Sequence, residues 1–245
     1  MTTTASVETI DPPPRDALRR TARLAGAFYV LTFISIPVLV LYGPAHDPAY
    51  VLGAGSDAGI RVGVVLELVV ALAGIGTAIT LYPVVKRQDQ TLALGFVATR
   101  TLEASLIFVG AVGLLALVTL RQDLAGAGGP SSSVVGSGLV AVYDWTFTLG
   151  QGLMPVANAV LLGTLMYRSG LVPRVIPLLG LIGAPILLVS KLAIIFGLDT
   201  AVSPWSGLAA IPIAVWELSL GLWLLFKGFR PCPLTAAIEA ERRVR

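Results

Sequence analysis

Six long apolar runs, near residues 24–42, 62–83, 92–120, 138–167, 175–198 and 208–227, dominate this 245-residue sequence. Each is close to or beyond the ~20 residues that a helix needs to cross ~30 Å of hydrocarbon. Strands are excluded, because only helices and closed barrels satisfy every backbone group in lipid, and these runs lack a barrel's alternating polarity. The expected fold is all-α: a polytopic membrane protein, a bundle of six transmembrane helices. Composition agrees, with 56% hydrophobic and 13% charged residues, where soluble domains carry ~25% charged. A 25.5 kDa globule has too little interior to hide a chain of mean hydropathy +0.85 from water.

The basic residues set the expected orientation. Thirteen of the 17 Lys and Arg fall at the amino terminus (Arg15, Arg19, Arg20, Arg23), in the loops with Lys86, Arg87, Arg168 and Arg174, or after the last run (Lys227, Arg230, Arg242, Arg243, Arg245). By the positive-inside rule these segments are cytoplasmic, and so are both termini. Residues 1–20 read as a disordered basic tail, 21–230 as the membrane domain and 231–245 as a cytoplasmic tail whose RRVR ending touches anionic lipid. A basic stretch before an apolar run also fits a signal peptide, with small residues from Gly43 to Ala45 at a cleavage point. The run is longer than the ~7–15 residues of such a signal and reads as a retained span. The net charge of +3 and pI near 9.2 are thus consequences of topology, and no basic patch on a soluble surface exists to meet nucleic acid.

The inner hairpins carry a family resemblance. LYPVVKRQDQTLALGFVATRTLEASL (81–106), MYRSGLVPRVIPLLGLIGA (166–184) and WELSLGLWLLFKGFR (216–230) resemble the bacterial domain-of-unknown-function 4386 family across residues 20–230. The resemblance implies a six-helix protein of the bacterial cytoplasmic membrane and brings no catalytic residues with it.

Function is sought where charge enters the spans, since each charged side chain at a helix centre costs at least ~2.5–3.5 kcal/mol. Glu67 lies in the outer third of the second run, and Arg100 and Glu103 near the middle of the third. Asp144 and Gln151 lie in the outer half and middle of the fourth, Lys191 in the outer half of the fifth, and Glu217 near the middle of the sixth. Arg100 and Glu103, three apart, share a helix face. Four acids against two bases cannot all pair, so an excess carboxylate must be protonated, face water or hold a cation. These seven residues are expected to line a polar cavity in the outer half of the bundle that binds a proton, a cation or a small polar solute. Pro155 and Pro185 support it by interrupting the fourth and fifth helices, and Asn158, seven residues after Gln151, continues one face of the fourth.

Recognisable catalytic chemistry is missing. The one histidine, His46, sits in the first outer loop and reads as a solvated residue, so no Ser/His dyad, HExxH helix or bis-histidine haem site can form. The lone Cys232 excludes an internal disulfide and any Cys/His metal site, and no cofactor is expected. Two readings follow: a small transporter or ligand-binding membrane protein built on the polar cluster, or a structural or regulatory subunit whose charges pair internally.

Overall fold

The computed structural model describes residues 14–53, 55–124, 129–201 and 203–244, and contains no strand among them. The helices are α1 (Pro14–Leu31), α2 (Val38–Leu41), α3 (Ala58–Val85), α4 (Gln90–Leu124), α5 (Pro130–Phe147), α6 (Met154–Ser169), α7 (Val175–Ile195), α8 (Pro204–Phe226) and α9 (Pro233–Val244). Six stretches are long and apolar enough to cross a membrane: Ala17–Leu41, Ala58–Val85, Gln90–Leu124, Ser131–Ser169, Val175–Ile195 and Pro204–Phe226. They form a multi-pass membrane protein in which each span begins or ends within several residues of its apolar run, because flanking polar residues continue the helices past the hydrocarbon.

The spans pack in chain order around a closed ring. α1 lies against α3, α3 against α4, α4 against α5 and α6, α6 against α7, α7 against α8, and α8 returns to α1. Closure between first and last spans depends on Gly26 and Gly221. A Cβ at Gly26 would stand 2.6 Å from the Gly221 carbonyl oxygen, so only glycine lets the two backbones approach this closely. Ala22, Ala25, Tyr29, Leu220 and Leu224 fill the core beside that contact.

Two terminal segments differ from the expected tails. Residues 14–20, read as disordered, are the first turns of α1, begun by Pro14 at a position where its missing N–H costs nothing. Leu18, Ala22 and Ala25 recur at helical spacing and bury one face while Arg19, Arg20 and Arg23 point outward or flank it. The expectation for residues 1–13 lies outside the described residues. The segment after Arg230 folds into α9, whose Ile238 joins the core with Leu18, and Arg87 bonds Glu241 at 2.8 Å. Both ends of the chain therefore sit at one end of the bundle, called here the terminal end.

The first span is not a continuous helix. A 3-10 turn over Thr32–Ser35 separates α1 from α2, because Pro37 has no N–H to offer the carbonyl of Phe33 and its ring would crowd that carbonyl. Hydroxyls substitute for lost backbone donors: Thr32 donates to the Tyr29 carbonyl at 2.7 Å and Ser35 to that of Thr32 at 3.3 Å. Beyond the break, the 3-10 turn and α2 lean on α3 while α8 keeps its contact with α1. The seam between first and last spans is closed toward the terminal end and parts toward the far end.

The fourth span carries a second irregularity, a π turn over Thr148–Leu153 between α5 and α6. Pro155 follows it. In a regular α-helix that ring would press on the Gln151 carbonyl, and the wider turn relieves the conflict.

Candidate functional site

The ring encloses a cavity of about 340 Å³, lined by Ser35 from the first span, Gly74 from the second, Glu103 from the third, Gln151 from the fourth, Lys191 from the fifth and Glu217 from the sixth. All six spans contribute. The two irregular segments both border it, through Thr32 to Ile36 and through Gln151 and Gly152, as expected if non-helical backbone at membrane depth is tolerated only inside protein or along a cavity.

At mid-depth, one cation serves two carboxylates. Arg100 donates from Nη1 to Glu103 at 3.0 Å and from Nη2 to Glu217 at 2.7 Å. Asn158 donates to the same Glu103 oxygen at 2.7 Å and accepts from Thr99 at 2.6 Å. The Arg100 guanidinium also lies over the rings of Tyr29, at 5.3 Å, and Phe96, at 5.8 Å. Spans three, four and six are thereby joined by a cluster of formal charge −1, with Arg100 only 3% exposed.

Glu67 stands apart from any cation. It is 1% exposed and accepts from the Tyr42 hydroxyl at 3.1 Å, the Tyr143 hydroxyl at 3.1 Å and Gln151 Nε2 at 2.9 Å. Three neutral donors from three segments do what a base would otherwise do. Glu67 does not line the cavity itself; Gln151 connects it to the cavity wall.

Lys191 is the converse case. It is 7% exposed, borders the cavity, and donates to Ser206 Oγ at 3.1 Å. No carboxylate among the described residues comes within ion-pair distance of it. Gly152 makes room for its stem, since a Cβ there would stand 3.0 Å from Lys191 Cε.

The expectation for Asp144 requires correction, and so does that for His46. Asp144 does not face the cavity: its carboxylate takes His46 Nε2 at 2.9 Å, and both side chains are 46% exposed. One helical turn nearer the far end than Thr148, Asp144 reaches the loop that follows α2, where it escapes the cost of burial. His46 is accordingly no free solvated residue. Its Nδ1 lies 3.0 Å from the Tyr42 carbonyl. Its pKa is raised, chiefly by the bond to Asp144, which outweighs partial burial.

Of the seven predicted residues, Arg100, Glu103, Gln151, Lys191 and Glu217 meet at the cavity, Glu67 sits one hydrogen bond behind it, and Asp144 lies elsewhere. Sequence reading missed Ser206, Tyr42 and Tyr143. Nothing in the linear order shows that two tyrosines 76 and 25 positions from Glu67, Tyr143 and Tyr42, converge on it.

Residues 24–228 match the family described as a domain of unknown function, DUF4386. The chain belongs to this family. No curated protein and no solved structure matches it. For this DUF4386 chain, functional inference therefore rests on the cavity's own chemistry.

Proposed function

We propose that this DUF4386 protein is a membrane ligand-binding protein, working as a small transporter, whose ligand occupies the central cavity. The observation that carries the reading is a single cavity bordered by all six spans with charge of both signs in its wall. The volume falls within the ~300–1,000 Å³ typical of small-molecule sites. Broken helices at such a site leave carbonyls and polar side chains free to bind and to rearrange. A proton, a cation or a small polar solute suits Glu217, and Gln151 offers a path by which occupancy would be felt at Glu67. By the positive-inside rule the terminal end lies in the cytoplasm of a bacterial cell, and the role is non-catalytic.

The rival reading, a structural or regulatory subunit, draws on the ion pairs closed at Arg100. Lys191 weighs against it, because a buried amine with no ion-pair partner among the described residues is costly in a scaffold and useful in a binding site.

Cysteine accessibility tests the proposal. In a Cys232→Ser background reconstituted in lipid nanodiscs, Ala214→Cys and Ala104→Cys, both at the cavity, should react with a small charged methanethiosulfonate. Leu72→Cys, on an exposed apolar face, should not. Absence of labelling at both cavity positions would show the cavity closed to polar molecules and overturn the reading.

A further inference from the structure

Two of the residues that border the cavity are also among the most exposed apolar side chains of the first span: Ile36 is 62% exposed and Leu39 68%. Gly207, on the first turns of α8, is likewise exposed and borders the same space. These residues border one space at the seam between first and last spans, where α2 packs on α3 while α8 packs on α1. Ile36 and Leu39 belong to the stretch Ala17–Leu41 and Gly207 to Pro204–Phe226, both long and apolar enough to cross a membrane, so a sideways opening between them would face lipid.

Just inside this opening lie Lys191 and Ser206. Lys191 Nζ has three donors and one neutral partner, the Ser206 hydroxyl. Asp199, the acid on the connecting loop, acts on Lys191 only from beyond ion-pair distance and accepts from Ser203 Oγ at 2.7 Å and from the Thr200 backbone N–H at 2.8 Å. Ser206 belongs to the first turn of the 23-residue helix α8, whose positive end adds to the field of the lysine. Below them the wall is apolar, with Leu187, Ile213, Val70 and Ile107, until the Arg100 cluster at mid-depth. Ser206 and Glu217 share α8 and are eleven residues apart, a rise of about 16 Å.

We infer that the cavity takes a single-chain anionic amphiphile, which enters from the lipid through the seam, docks its carboxylate on Lys191 and Ser206, and lays its chain along the apolar wall. This rests on the reading of the cavity as a ligand site and assigns to its Lys191 end a ligand class different from the proton, cation or polar solute that suits Glu217. An anionic head supplies the charge that Lys191 lacks, and an apolar chain matches both the wall and the route of entry. At mid-depth Arg100 is already shared by Glu103 and Glu217 and offers a second anionic group no partner, so the ligand has one charged end.

Photo-crosslinking tests this with a dodecanoate bearing a diazirine on its chain, applied to the full-length protein in nanodiscs and mapped by peptide mass spectrometry. Adducts are expected on the segments around Ile36 to Leu39 and Gly207 to Ile213. Unlabelled dodecanoate should compete; dodecanol and dodecyltrimethylammonium should not. Lys191→Gln should weaken that competition about ten-fold or more, because a charge-assisted contact is lost. Lys191→Arg, which keeps the charge, should retain it and shows that loss in Lys191→Gln is no failure to fold. Gly207→Trp should block labelling by filling the opening. Equal competition by dodecanol, or unchanged competition in Lys191→Gln, would overturn the inference. If dodecyltrimethylammonium competes and Glu217→Gln abolishes that competition, the cavity reading survives and the anionic ligand does not. If no probe labels either segment and the cysteine test also fails, both fall.

Discussion

Arg100 and Glu217, 117 positions apart in sequence, meet at 2.7 Å in the middle of the bundle. Glu103 accepts from the other terminal nitrogen of the same guanidinium, and Arg100 is the hub on which one buried and one part-buried carboxylate depend. Replacing Arg100 by Leu leaves both unpaired and should destabilise the protein by ~3–5 kcal/mol, as for other broken buried pairs. Glu217→Gln keeps the Arg100–Glu103 pair and a hydrogen-bonding amide, and should lose only ~1–2 kcal/mol. Thermal unfolding in detergent, followed by tryptophan fluorescence, ranks the two; a milder effect for Arg100→Leu would refute the hub.

Buried tyrosine hydroxyls give unequal expectations. Tyr143→Phe removes a donor to Glu67, whose remaining partners are Tyr42 and Gln151, and should destabilise by ~1–2 kcal/mol. Tyr29→Phe removes a hydroxyl that interacts with the already shared Arg100 guanidinium while keeping the ring over it, and should cost less, at most ~0.5–1 kcal/mol. The same melting assay checks the pair, and equal losses would sink the distinction.

Ring closure can be tested with one methyl group. Gly26→Ala would press a Cβ against the Gly221 carbonyl at 2.6 Å and should cost ~1–3 kcal/mol through overpacking, or split the seam. Gly138→Ala, in α5 with nothing within 4 Å, should be neutral or gain up to ~1 kcal/mol from helix propensity. Yield of monodisperse protein on size exclusion, together with the melting temperature, separates the two cases.

The pH response should be concentrated at His46. Its Nδ1 faces the Tyr42 carbonyl and its Nε2 faces the Asp144 carboxylate; both are acceptors, so only the imidazolium satisfies both. With the folded pKa raised above the ordinary ~6.5, this contribution is fully present below ~6.5 and fades as pH rises through the raised value. Melting temperature should therefore fall between about pH 6 and 8 by an amount missing from His46→Gln and reduced in Asp144→Asn. A wild-type protein and His46→Gln with parallel pH profiles would contradict the assignment.

How far the sequence could be read depended on what kind of information each feature requires. The six spans were legible because hydrophobic length is a local property. The Arg100–Glu103 pair was legible because spacing of three fixes a shared face. The contact of Arg100 with Glu217 was not, since it depends on how α4 and α8 are rotated against each other. Asp144 was misplaced for a related reason: depth counted along a helix says nothing of a loop folding back to meet it. The break in the first span had a signal in Pro37, preceded by Thr32 and Ser35, but a continuous apolar run masks a helix that stops and restarts inside it. Tail residues 14–20 and 233–244 were read from their charge, while their helices depend on a few apolar residues that pack on the bundle, Leu18 and Ile238 among them.

The open seam occupies only the half of the bundle away from the chain ends, while Gly26 and Gly221 shut the other half. With the lateral entry proposed above, lipids of one leaflet alone would meet the opening. In a bilayer whose two leaflets differ in composition, this protein would sample one population and be blind to the other. Any process that moves amphiphiles from one leaflet to the other would change its occupancy without touching the protein itself.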